Sequence, residues 1–176
     1  MRNPAIPQKI PVFVAGEGKS EEGYWRWLAR FPRILAIRAE GLAGGDLLEM
    51  AECAIHKLNR WRGAGITHRA LVLDSEHEGG SPDRRRRALQ LIERHRFHLI
   101  VQRPCHEAFI IRHFIGWENH KPSTQQDAER LLVKVWQRYE KGMDAGEYTK
   151  ILTPDHVAVA RGVEPQFDAF LSRIGW

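Results

Sequence analysis

Cysteine is scarce in this chain of 176 residues: there are two, Cys53 and Cys105, far apart. That count excludes a disulfide framework and a cysteine-built zinc site. Long apolar runs are missing as well. Charge interrupts every stretch well short of the ~20 residues that cross a membrane, so no membrane partner is expected. After Met1-Arg2-Asn3-Pro4, the first apolar run, Ile10 to Ala15, is too short for a signal segment. These absences point to a protein of the reducing cytoplasm. Internal repeats and low-complexity tracts are also lacking, which argues against a solenoid and against a disordered linker.

What is present is a globular composition with a basic bias. Hydrophobic residues make up 43% and charged residues 28%, and 27 Lys plus Arg face 22 Asp plus Glu, for a net charge of +5. The basic residues are mostly arginine, whose planar fork suits phosphate. A positive balance permits a polyanionic partner without requiring one. At this length one domain is the default, and folding needs neither metal nor disulfide.

Periodicity predicts strands alternating with helices. Ile10 to Ala15 reads as a strand buried on both faces, followed by a helix from Ser20 to Phe31 that Ser20 caps and Pro32 ends. A second strand is expected over Ile34 to Ala39. Asp46 then caps a helix running to about Arg62. Arg69 to Asp74 is the third strand, residues 83–95 a helix, Phe97 to Gln102 the fourth strand, and Cys105 to about Ile115 a helix. Four strands separated by helices imply a parallel, right-handed α/β sheet. The last third reads as α-helical, with an amphipathic helix over Ser123 to Lys141 and a final one over Glu164 to Ile174. The expected division is an α/β unit over 1–118 and a helical extension over 119–176 packed on the same core.

Sites in open parallel sheets form beyond the carboxyl ends of the strands. After the first strand stands Gly16-Glu17-Gly18-Lys19-Ser20-Glu21-Glu22, a carboxylate between two glycines. The P-loop pattern Gly-x-x-x-x-Gly-Lys-Ser/Thr is absent, which removes that class of nucleotide binding. After the third strand comes Asp74-Ser75-Glu76-His77-Glu78. In extended chain Asp74 and Glu76 share a face, and with Glu17 they supply the oxygen ligands that Mg²⁺ or Mn²⁺ prefers. Taken singly, each acid reads better as an ordinary loop or helix-start carboxylate; two clusters at separate strand ends, each after an apolar run, reverse that preference. After the fourth strand comes Arg103-Pro104-Cys105-His106-Glu107, where Glu107 is either a helix-dipole acid or a third acidic arm at the same mouth. Arg103 there, and His106, would stand close to phosphate. His113 is expected to be structural. The run Arg84-Arg85-Arg86-Arg87 is either a solvated helix face or a set of phosphate contacts.

Three segments together, Val12 to Trp25, Leu71 to His77 and Pro104 to Phe114, resemble the RloB family. That family is similar to Toprim domains, the metal-binding α/β fold of topoisomerases, bacterial primases and OLD-type nucleases. The resemblance covers about residues 10–116. It implies a Toprim-like sheet and a restriction or phage-defence setting. It also implies that Glu17 is the Toprim glutamate, a general acid/base or metal ligand. Asp74 and Glu76 then match the two positions of the Asp-x-Asp motif, with Glu in place of the second Asp, and Glu107 matches a further family acid. The expected function is a Mg²⁺- or Mn²⁺-dependent nuclease on DNA or RNA. Glu17, Asp74 and Glu76 would hold metal, Glu107 would join them in catalysis, and Lys19, Arg84, Arg85, Arg86, Arg87 and Arg103 would offset substrate charge. The alternative is a non-catalytic effector or binding subunit working with a partner protein encoded alongside; a homo-oligomer is compatible with both.

Overall fold

The computed structural model describes residues 9–31 and 35–176. The expectations for Met1 to Pro4, for the helix stop at Pro32 and for a strand start at Ile34 lie outside the described residues. Four strands, β1 (Ile10–Gly16), β2 (Leu35–Gly41), β3 (His68–Asp74) and β4 (Phe97–Gln102), form one sheet in the order β2-β1-β3-β4, every pair parallel. The expected parallel α/β sheet is therefore present.

Side chains alternate across this sheet as the pleat requires. Val12, Val14, Ala70 and Val72 enter one core, while Phe13, Ala15, Leu71 and Leu73 enter another on the opposite face. Helices α2 (Leu47–Asn59) and α3 (Pro82–Arg94) cover the second face. The first face receives α1 (Lys19–Leu28) and the whole C-terminal third: α4 (His106–Ile111), α5 (Gln125–Val135), α6 (Ala145–Thr149), α7 (Pro154–Arg161) and α8 (Pro165–Ile174). Tyr24, Trp25 and Trp27 of α1 are fully buried there against Phe109, Tyr148 and Phe167. Aromatic rings of this size each remove roughly 150–250 Å² from water, so the extension is part of the core. Among the described residues no helix is long and apolar enough to cross a membrane.

Several boundaries differ from the periodicity. Gly18, not Ser20, is the N-cap of α1; Ser20 Oγ instead accepts the Gly142 N–H at 2.9 Å. The helix expected over Ser123 to Lys141 ends at Val135, because Trp136 leaves helical geometry (φ −131°, ψ 85°) and turns into the core with Tyr139. The helix expected from Cys105 to Ile115 stops at Ile111, with Arg112 as its C-cap. Glycine is required where α1 meets the segment before α6, since a Cβ on Gly23 would sit 2.0 Å from the Met143 carbonyl oxygen.

Candidate metal centre

The strand order reverses between β1 and β3: the chain steps outward from β1 to β2, then returns across β1 to β3 and β4. Crevices at such switch points, beyond the strands' carboxyl ends, are where ligands bind in these sheets. Gly16 pairs with Val72, so Asp74 extends two residues past the end of β1 and comes level with the Glu17–Gly18 turn. The Asp74 N–H donates to Glu17 Oε2 at 3.4 Å. Glu21, in the first turn of α1, folds back so that its Oε2 accepts the Gly18 N–H at 3.0 Å. Gly16 makes room for this: a Cβ there would lie 2.4 Å from the Glu21 Cβ. The result is a cavity of about 150 Å³ lined by Glu17, Glu21, Asp74, Glu76, His106 and Glu107, among others.

The acids fall into two groups that share Glu17. Carboxylate oxygens of Glu17, Glu21 and Asp74 lie within 4.8 Å of one another, and so do ligand atoms of Glu17, Glu76 and His77. Asp74 and Glu76 do not share a face as extended chain would have it. A 3₁₀ turn over Ser75–Glu78 begins directly after Asp74 and swings Glu76 outward, leaving its side chain 67% exposed. His77 was not expected at the site; it sits between the two acids of the outer group. Glu107 is buried at the first turn of α4 and lines the cavity without joining either group, its Oε1 accepting the Tyr139 hydroxyl at 2.9 Å. Only the departure of Trp136 from the helix brings Tyr139 there, a placement with no periodic signal.

The inner group is electrostatically uncomfortable by itself. Asp74 is 8% exposed, and its Oδ1 has no hydrogen-bond partner. Burial, with the charges of Glu21, Glu17 and Glu107, pushes its carboxyl up to about 9. An orphaned, sealed oxygen beside two further carboxylates fits a hard divalent cation, which takes oxygen ligands and offsets their charge. Cys105 is no nucleophile: burial raises its thiol to about 12. His106, behind the acids, is held by Gln102 and by the Tyr148 hydroxyl (2.9 Å from Nε2). His113 is structural, as expected. It bonds Tyr24 and the Phe109 carbonyl, and burial lowers it to about 3, so it stays neutral.

The basic residues divide by location. Arg84, Arg85, Arg86 and Arg87 open α3 on the outer face and each meets an acid: Asp46 and Glu49 for Arg84, Glu78 for Arg85, Asp83 for Arg86, Glu52 for Arg87. Arg84 and Arg87 tie α3 to α2, and all four pairs offset the unfavourable dipole of cations at a helix start. Arg103 pairs with Glu78 at 2.6 Å and is not among the residues that line the cavity. Lys19 is exposed beside the cavity and enters no ion pair among the described residues. Sequence reading missed two further cations: Arg26, seven positions along α1 and paired with Glu22, and Arg30, in the turn just past its end, line with Lys19 an adjoining groove of about 520 Å³.

The chain matches no family model, no curated protein and no solved structure.

Proposed function

We propose that the chain is a Mg²⁺- or Mn²⁺-dependent phosphodiesterase that cleaves DNA or RNA, working in the restriction or phage-defence setting that its RloB- and Toprim-like motifs imply. The observation that carries this reading is the sealed, unpartnered Asp74 Oδ1 at the switch point, set within reach of Glu17 and Glu21. Glu17, Glu21 and Asp74 hold the ion. A divalent cation there supplies a Lewis acid that offsets charge on the phosphate and lowers the pKa of water. Glu107, oriented by Tyr139, stands at the cavity wall where it can take or return a proton. Lys19, with Arg26 and Arg30 behind it, gives the substrate backbone a cationic track leading from the mouth.

One observation favours the effector alternative: Glu76, matched to the second Asp of Asp-x-Asp, stands with His77 and away from Asp74. Incubation with plasmid, single-stranded DNA and tRNA, in Mg²⁺, Mn²⁺ or EDTA, separates the two. Metal-dependent cutting that Asp74→Ala abolishes is the expected result. Binding without cutting in every metal would leave a binding subunit.

A further inference from the structure

Cations are distributed unevenly between the two ends of the sheet. All four strands run the same way, so the starts of β1, β3 and β4 lie together opposite the acids, with Val12 beside His68 and Arg69 beside Phe97. Helices α2 and α3 both begin at the acid end, where the Gly45 carbonyl lies 2.6 Å from His77 Nδ1 and Arg84 pairs with Asp46. Both therefore finish at the strand-start end and bring Arg60, Arg62, Arg94 and Arg96 there. Lys9 precedes β1, and Arg38 of β2 lays its guanidinium 4.7 Å over the ring of Trp61, two residues past α2. All six are exposed, and none enters an ion pair among the described residues. The acids nearest along the chain are Glu40, which Lys57 takes at 3.5 Å, and Glu93. Residues 1–8 and 32–34, outside the described ones, contain Arg2 and Arg33 and no acid. At the acid end, by contrast, Arg26, Arg84 to Arg87 and Arg103 each meet a carboxylate.

We propose that the strand-start end is a separate nucleic-acid surface, which holds a phosphate backbone without metal at the far end of the sheet from the acid cavity. Like charges gathered without counter-charges work against folding by mutual repulsion. A polyanion removes that repulsion, and its released counterions drive the binding. The shape fits a linear anion better than a single one. Four strands at ~4.8 Å spacing make the end about 14 Å wide, enough for several phosphates of one strand at ~3.4 Å of axis each. Five of the six cations are arginine, whose fork bonds phosphate oxygens in pairs, and stacking on Trp61 leaves the N–H edge of Arg38 free to do so. A groove of about 610 Å³ between Lys9, Arg38 and the loop of residues 63–67 gives the backbone a seat. Strands of six or seven residues put this surface about 20 Å from the cavity. It shares with the nuclease reading the class of ligand and not the site.

The test is the binding of a labelled DNA duplex and of tRNA to the whole chain, read by fluorescence anisotropy in EDTA over a series of salt concentrations. EDTA leaves the acids without an ion, so the cavity repels phosphate and adds nothing to the binding. The wild type should bind at low salt. Arg60→Gln with Arg62→Gln, and separately Arg94→Gln with Arg96→Gln, should weaken binding roughly tenfold or more and flatten the slope of log K against log salt by about two. None of the four side chains is in an ion pair, so melting temperatures should match the wild type. Arg86→Gln with Arg87→Gln removes the same charge from paired residues and should change neither affinity nor slope. Loss on the duplex, on tRNA or on both supports the proposal and names the backbone. Wild-type affinity in both strand-start variants, or an equal loss in the paired control, would overturn it. Binding of polyglutamate but of neither nucleic acid would overturn it too, and give the surface to an acidic protein. Binding lost in the strand-start variants, with no cutting by the wild type in any metal, would keep this surface and remove the nuclease reading instead.

Discussion

Asp74 concentrates the tension of the site at the scale of one residue. Its carboxyl is raised to about 9 by burial and by Glu21, Glu17 and Glu107, against about 3.9 in an unfolded chain. Between those values the folded state holds a proton that the unfolded state has released. Stability therefore falls with rising pH across that window: the contribution is intact below about pH 4 and is lost as pH climbs toward 9. In EDTA, the melting temperature of the wild type should decline from about pH 5 to about pH 8 relative to Asp74→Asn, which has no carboxyl to ionise. Parallel curves for the two proteins would show that Asp74 is already solvated or paired. Of the residues that matter here, Glu17 and Asp74 were legible because each follows a strand-like run directly. His77 and Glu21 were not. A histidine beside acids carries no spacing signal, and an acid in a first helical turn has a sufficient ordinary explanation in the helix dipole.

Among the elements, α1 does most to place the site. Its start sets Glu21 over Gly16, its outer side carries Lys19 and Arg26, and its buried face presses Gly23 against the Met143 carbonyl. Gly23→Ala puts a methyl group where that carbonyl is, so the segment before α6 must move. Overpacking of this kind costs about 1–3 kcal/mol. The urea midpoint should fall accordingly with an unchanged slope, and an unaltered midpoint would mean that the segment yields freely. The strands were readable to within one or two residues where they are described; β1 and β3, the two central strands, are plain apolar runs because they are buried on both faces. Residues 123–141 misled because Trp136 and Tyr139 continue an amphipathic pattern that tertiary packing diverts into the core. The 3₁₀ turn after Asp74 had no signature either, and it is what separates Glu76 from Asp74.

For the whole molecule, the division at residue 118 does not separate two cores. Leu132, Trp136, Tyr148, Val157, Phe167 and Phe170 belong to the same buried cluster as Val12, Val14, Trp25 and Trp27. Removing residues 119–176 would expose the buried side chains of α1 and α4 on one face of the sheet and would take away Tyr139, which orients Glu107. A chain ending at residue 118 should show no cooperative melt by circular dichroism; a sharp transition would establish the α/β part as an independent unit. The fold thus takes the acids of the site from the α/β part, Glu17 to Glu107, and the Tyr139 that supports Glu107 from the helical part. The most direct test of the account is the cleavage rate of wild type against Glu17→Gln, the residue common to both ligand groups, on the nucleic acid the wild type cuts best. The account predicts cutting in Mn²⁺ or Mg²⁺ that EDTA stops, and a loss in the folded variant of at least the roughly 100-fold that disturbing a metal site costs. Equal rates in the two proteins, or a metal-loaded wild type that cuts nothing, would contradict it.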